Sequence, residues 1–210
     1  MDTLTEASPT SESKTRGRHR CLESEASILK ATLYLLERKS LRQVTADAIA
    51  RRAGVSKATI YKWWPNKRMV ALDAFLRSMT ERIPIPDLGS AEADFATHLK
   101  SVINFYRTPF GRLFCQFIAE GQSDPGLLAM FRERFLYQRR AAGRLIWRRG
   151  VDRGEIRTEI DGEIVIDLIY GPMIHRLLAG HASLDDDQSQ AVIDAVFGGL
   201  RKPDYVSSSR

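Results

Sequence analysis

Residues 45–67 read TADAIARRAGVSKATIYKWWPNK, and their pattern decides what the first third of the chain is. Helical periodicity predicts one short helix over 46–52, a tight turn at Ala53-Gly54-Val55 and a second helix over 56–64, the shape of a helix-turn-helix. Ile49 and Ala53 share one face of the first helix, while Val55, Ile60 and one of Trp63 or Trp64 recur at the inward spacing of the second. Ala50 is small where the helices cross, Gly54 tolerates a left-handed turn, and Ser56 offers an oxygen to the free amides that open the second helix.

Lys57, Ala58, Thr59, Tyr61 and Lys62 remain for the outer face. Two cations, a hydroxyl, a small side chain that permits close approach and a phenol suit a major groove and its flanking phosphates. A plain helical hairpin with a solvated basic face is the alternative. Turn, cap, inward period and outward chemistry coincide here, and together they favour double-stranded DNA.

Upstream, Ile28, Leu29, Thr32, Leu33 and Leu36 give residues 23–39 an apolar stripe at helical spacing, suited to packing across the other two helices. Thr45 is placed to cap the first helix of the pair. Downstream, Pro65 ends the second helix, and a fourth is predicted over 67–81 with Val70, Leu72, Ala74, Phe75 and Met79 as its apolar set. Lys67 at its start is either a phosphate contact helped by free helix amides or a surface lysine.

In Val44-Thr45, Ile49-Ala50, Ala53-Gly54-Val55-Ser56, Thr59-Ile60-Tyr61, Trp64-Pro65 and Lys67 the chain resembles the TetR family of bacterial transcriptional regulators. The resemblance covers about residues 23–75; Ala58 stands where the family often has glycine, and Trp63-Trp64 where His-Phe or Tyr-Phe is more usual. It implies an all-α protein, with a three-helix DNA-binding domain followed by a helical domain that dimerises and binds a small effector. It also implies that Thr45, Ser56, Lys57, Ala58, Thr59, Tyr61, Lys62, Trp63 and Lys67 line the DNA, with Thr45 and Lys67 at the strand edges.

Charge is distributed to match. The net +6 divides into −3 over residues 1–13, +10 over 14–68 and −1 over 69–210, so the basic excess lies with the helix-turn-helix. Residues 1–20 are expected to be a disordered tail whose run Lys14-Thr-Arg-Gly-Arg-His-Arg20 is either a minor-groove arm or a solvated basic tail. Cys21 and Cys115 have no zinc spacing, and Cys115 is read as a small buried apolar residue. No signal-peptide core and no apolar run approaching ~20 residues is present, so no membrane partner and a cytoplasmic location are expected.

The expected domains are 21–66 for DNA binding, 67–82 for a connecting helix, 83–202 for a helical effector and dimerisation domain, and 203–210 for a tail. Two prolines and a glycine make 83–90 a loop, and helices are predicted over 91–106, 110–120, 125–150, 162–179 and 186–200. Phe95, Phe105, Phe110, Phe114, Phe117, Phe131, Phe135 and Trp147 make an aromatic interior. All but Phe95, together with Met173, are candidates to line a pocket for an apolar effector, with a packed core as the alternative for each. Pro172 marks either a kink in its helix or a tolerated irregularity. Ile164, Leu168, Ile169, Leu177, Val192, Val196, Phe197 and Leu200 are candidates for a four-helix homodimer interface, or for burial within the chain.

Catalysis has no positive signal. His19, His98, His175 and His181 form no HExxH pair or Cys/His cluster, and no Gly-rich phosphate loop or nucleophile elbow occurs. Asp185-Asp186-Asp187 is explained by helix capping and the helix dipole. No cofactor, metal or catalytic residue is expected. The sequence therefore reads as a ligand-responsive, homodimeric regulator, most simply a repressor released from a palindromic operator by a small apolar effector. A nonspecific nucleoid-type DNA-binding protein and a helical enzyme fused to a DNA-binding domain are the alternatives.

Overall fold

The structure, a computed structural model, describes residues 11–200, and no strand occurs among them. Helices α1 (Ser11–Leu36), α2 (Ala46–Ala53) and α3 (Lys57–Trp63) form the amino-terminal domain. The long α4 (Lys67–Arg82) leads into α5 (Ala91–Tyr106), α6 (Pro109–Ser123) and α7 (Pro125–Phe131). A π-helical segment (Arg132–Leu136) then joins α7 to α8 (Tyr137–Asp152), and α9 (Gly162–Ala179) and α10 (Asp186–Leu200) complete the chain's described part.

The first domain is built as its periodicity demands. Ile28, Leu36, Leu41, Val44, Ile49 and Ile60 are fully or nearly fully buried where α1 meets α2 and α4. Thr32 lies within this apolar stripe, and its hydroxyl is satisfied by donating to the Ile28 carbonyl one turn back, at 2.8 Å.

Two elements differ from the sequence reading. Helix α1 starts at Ser11, so the backbone of residues 14–20 is helical where a disordered tail is expected. Lys and Arg are good helix formers, and no proline interrupts the chain between Ser11 and Leu36. The rest of the expected disordered tail, residues 1–10, and the 203–210 tail lie outside the described residues. The single helix expected over 125–150 is divided by the π segment, which accommodates one extra residue per turn and shifts the facing of everything after it. Helix α9 runs from Gly162 to Ala179 with Pro172 inside it.

Helix α4 is more than a connector, because one continuous apolar core runs from Ile28 to Leu200 and α4 passes through it. Phe75 is wholly buried at the centre of an aromatic cluster, its ring 5.8, 6.1, 6.0 and 5.0 Å from those of Phe105, Phe110, Phe117 and Phe135. Anchoring of α3 and carboxy-terminal packing thus depend on the same helix.

Candidate nucleic-acid interface and ligand cavity

The α2–α3 pair is fixed by caps at short range. The Thr45 hydroxyl accepts from the Ala48 amide at 3.1 Å and the Ser56 hydroxyl from the Thr59 amide at 3.1 Å, giving each helix a satisfied start. Gly54 closes α2 with φ 68° and ψ 31°, and a Cβ there would meet no atom within 4 Å. The requirement for glycine is therefore the left-handed backbone, not space. Ile60 is buried, and so is Trp64, whose indole N–H donates to the Asp73 carboxylate at 2.7 Å. Of the two tryptophans it is Trp64 that points inward.

The opposite face of α3 is open. Ala58 and Lys62 are exposed, Thr59 is half-buried, and Tyr61 and Trp63 are 49% and 38% exposed despite their size. Large aromatic rings left in water beside cations have the composition of a surface awaiting a partner. Lys62 forms no ion pair among the described residues and lies 6.0 Å from the Trp63 ring centre. Lys57 is paired with Asp47 of α2 at 2.9 Å, and this contact raises its pKa and keeps it charged. The Thr59 hydroxyl shares a 2.9 Å hydrogen bond with Ser56.

Lys67 does not face outward as a phosphate contact would. Its ammonium donates to the carbonyls of Leu41, Arg42 and Val44 at 3.4, 2.9 and 2.7 Å, which accounts for all three of its protons. These carbonyls belong to the α1–α2 connection, where helix partners are lacking, so Lys67 ties that loop to α4.

The two domains are joined by polar contacts along one edge. The Leu41 amide donates to Gln116 at 2.7 Å, Arg42 pairs with Glu120 at 3.3 Å, and Arg68 pairs with Glu120 and Asp124 at 3.5 and 2.6 Å. The open cleft of about 530 Å³ along this edge is lined by these same groups, whose charges are already matched to each other. A second tie matters more: Asp73 accepts from Trp64 at the end of α3 and also from Arg134 of the π segment, at 2.9 and 3.0 Å.

Immediately beyond Arg134 the chain lines a more enclosed cavity of about 230 Å³. Met79 of α4, Val102 of α5, Phe114 of α6, Phe135 of the π segment, and Ile166 and Met173 of α9 supply apolar wall. The polar end is made by His98 and Tyr106 of α5, Arg139 of α8 and Tyr170 of α9. His98 Nδ1 lies 2.6 Å from the Tyr170 hydroxyl, and an Arg139 Nη lies 3.4 Å from His98 Nε2. Burial, aided by the Arg139 charge, lowers the His98 pKa to about 4, so its ring is neutral. Burial also raises the pKa of both tyrosines and lowers that of Arg139.

Comparison with known proteins accounts for both domains. A family model described as "Bacterial regulatory proteins, tetR family" matches residues 28–74, and one described as "Tetracyclin repressor-like, C-terminal domain" matches residues 85–196. The chain belongs to the TetR family of transcriptional regulators. Among its TetR-family relatives, the HTH-type transcriptional regulator YdeS of Bacillus subtilis (strain 168) is 40% identical over 186 residues, covering 89% of this chain and 94% of YdeS. The HTH-type transcriptional regulator AqdR of Rhodococcus erythropolis is 30% identical over 148 residues, 70% of each chain. The crystal structure of TetR family transcription regulator SCO0332 superposes with a TM-score of 0.78 at 32% identity, covering 86% of this chain and all of that one.

Within this TetR-family fold the sequence-predicted pocket residues separate into two groups. Phe114, Phe135 and Met173 line the cavity. Phe105, Phe110, Phe117 and Phe131 do not; they are packed ring against ring, Phe105 and Phe110 stacked at 5.0 Å, and fill the core behind its wall. Trp147 is elsewhere, pressed on Gly162, where an added Cβ would come within 2.7 Å of its ring. His98, Tyr106, Arg139 and Tyr170 were not anticipated.

The dimer candidates separate similarly. Ile169, Phe197 and Leu200 are buried inside the subunit, because α10 lies on α5 and α9 and Phe197 packs against Phe95 at 6.1 Å. Leu177, Val192 and Val196 are partly buried against the same core. Ile164 and Leu168 remain on the outside of α9, 54% and 50% exposed. Cys115 is half-buried, with its Sγ 3.5 Å from the Leu177 carbonyl. Among the described residues no helix is long and apolar enough to cross a membrane, and no group of three potential metal ligands occurs.

Proposed function

We propose that this TetR-family regulator acts in the cytoplasm as a homodimer, holding a palindromic operator through two copies of α3 and releasing it when a small molecule occupies the 230 Å³ cavity. The observation that carries this reading is the Trp64–Asp73–Arg134 tie, which connects the end of the recognition helix to the π segment forming part of the cavity wall. A ligand that repositions Phe135 acts on a segment bonded to the α3 terminus. Differential affinity for a state with altered α3 spacing then shifts the population away from DNA.

Ala58, Thr59, Tyr61 and Lys62 face the major groove in this reading, and Trp63 and Lys57 the flanking backbone, Lys57 exchanging Asp47 for a phosphate. Thr45 and Ser56 act through the caps that aim the helices. Pairing of subunits uses the outer face of α9, where Ile164, Leu168 and Leu178 stand exposed in helical register, alongside Ala191 and Ala195 of α10.

Footprinting tests the arrangement. Two protected half-sites with centres about 34–36 Å apart are expected, together with a dimer by light scattering. Protection of a single half-site, or equal affinity for operator and random duplex at moderate salt, would favour the nonspecific alternative.

A further inference from the structure

We infer that the cavity takes a small amphipathic monoanion, an apolar body with a carboxylate-type headgroup that pairs with Arg139; the inference rests on the ligand-responsive reading above. Four polar groups converge at one end of a mainly apolar chamber, and their hydrogen-bond inventory is short of acceptors. Arg139 can only donate, so its contact at 3.4 Å makes His98 Nε2 the acceptor. In a neutral ring the proton is then on Nδ1, which donates to the Tyr170 oxygen at 2.6 Å. The Tyr170 proton is thereby left with no acceptor among the described residues. The Tyr106 hydroxyl has only the Met79 sulfur at 4.0 Å.

Arg139 itself has no carboxylate partner among the described residues, and its Nε is buried without a hydrogen bond. The one nearby carboxylate on the cavity wall, Asp167, is committed to Arg140 at 2.5 Å, and Arg140 also bonds Glu163 at 2.7 Å. A buried guanidinium with unused donors beside one free hydroxyl is complementary to a planar oxyanion. A neutral polar headgroup would leave the charge uncompensated. Apart from the mutually paired Arg140 and Asp167, the remaining wall offers apolar side chains to the ligand's body. At 230 Å³, roughly eight liquid waters, that body is of benzoate or hexanoate-to-octanoate size.

The test uses the full-length protein and matched pairs: benzoate, hexanoate and octanoate against benzamide, hexanamide and octanamide, by calorimetry at fixed ionic strength. At least one acid is expected to bind about tenfold or more tightly than its amide, and Arg139→Met to remove that preference. Amides binding as well as acids, or no acid binding at all, would overturn the inference. Ligand-free Arg139→Met provides a second readout, with a Tm at or above wild type because an unpaired buried charge is gone. A fall of about 5 °C would instead mark Arg139 as a strut of the fold and overturn the inference. Operator binding separates the two proposals. Arg139-dependent acid binding that leaves operator affinity unchanged sinks the regulatory reading alone, and release by a neutral compound with no acid preference sinks this one alone.

Discussion

Lys62 on the outer face of α3 and Arg139 in the cavity wall are both cations with no carboxylate partner among the described residues, yet one stands in water and the other does not. Water solvates Lys62 well, so its charge is stable in the free protein and remains available to any polyanion that approaches. Arg139 has lost much of its hydration and gained only a long contact to a neutral imidazole. The first arrangement suits a large partner recognised at the surface. The second suits a small one that must enter, and it makes the free protein carry a strained electrostatic state that binding relieves.

The largest effect that separates the two regions is on stability. Phe75→Ala, inside the aromatic cluster, is expected to lose about 3–5 kcal/mol in urea unfolding, since its ring meets four others. Tyr61→Ala, with its ring in solvent, is expected to change stability by no more than about 0.5 kcal/mol while weakening operator binding. Equal stability losses for the two would mean that α3's outer face is part of the fold.

Acid should find the cavity end next. His98 has a folded pKa depressed to about 4 against an ordinary 6.5, so its neutral form is favoured in the native state and its stabilisation is fully present above pH 6.5. As pH falls below 6.5 the unfolded chain takes up a proton that the native chain refuses, and stability declines until about pH 4. The difference corresponds to about 3 kcal/mol. His98→Gln is expected to flatten that part of the stability profile, with Arg139, Tyr106 and Tyr170 still in place around it. An unchanged slope would show that His98 is solvated in the native protein.

At the DNA end the expected effect is smaller and falls on a different measurement. Lys62→Ala should cost about 1–3 kcal/mol on the preferred operator if Lys62 reads a base, with unfolding unaffected. Uniform weakening on all duplexes, with a salt slope lower by about one, would reassign it to a phosphate.

The two regions also differ in how far the sequence discloses them. The helix-turn-helix was legible because its determinants are local: Thr45 reaches Ala48, Ser56 reaches Thr59, and Gly54 sits between them. The polar end of the cavity was not, because His98 meets Tyr170 across 72 residues and Arg139 across 41, and no spacing rule spans helices that distant. Abundant phenylalanine suggested a pocket lining, whereas most of those rings fill the space behind it, with Phe75 of the connecting helix at their centre. Lys67 shows the same limit at a single residue. A lysine opening a helix has one appearance in sequence whether it reaches toward phosphate or back to three carbonyls. The π segment left no mark either, since no glycine or proline between 127 and 142 interrupts the helix predicted over 125–150.

Asp73 is where the two regions meet, and its removal should have a small effect on stability and the most specific effect on regulation. The carboxylate accepts from Trp64 and from Arg134, and it is partly exposed, so Asp73→Ala is expected to lose only about 1 kcal/mol of stability. Neither the outer face of α3 nor the donors at the cavity's polar end are altered by the change, so operator affinity and ligand affinity measured separately should stay near wild type. The ligand-induced loss of operator affinity, the coupling free energy between the sites, should shrink. An Asp73→Ala/Arg134→Ala double-mutant cycle on that coupling discriminates a shared bond from two independent contacts: the double variant should lose no more coupling than either single one. Additive losses would place the connection elsewhere, most directly along α4, whose Met79 lines the cavity and whose start is held to the α1–α2 loop by Lys67.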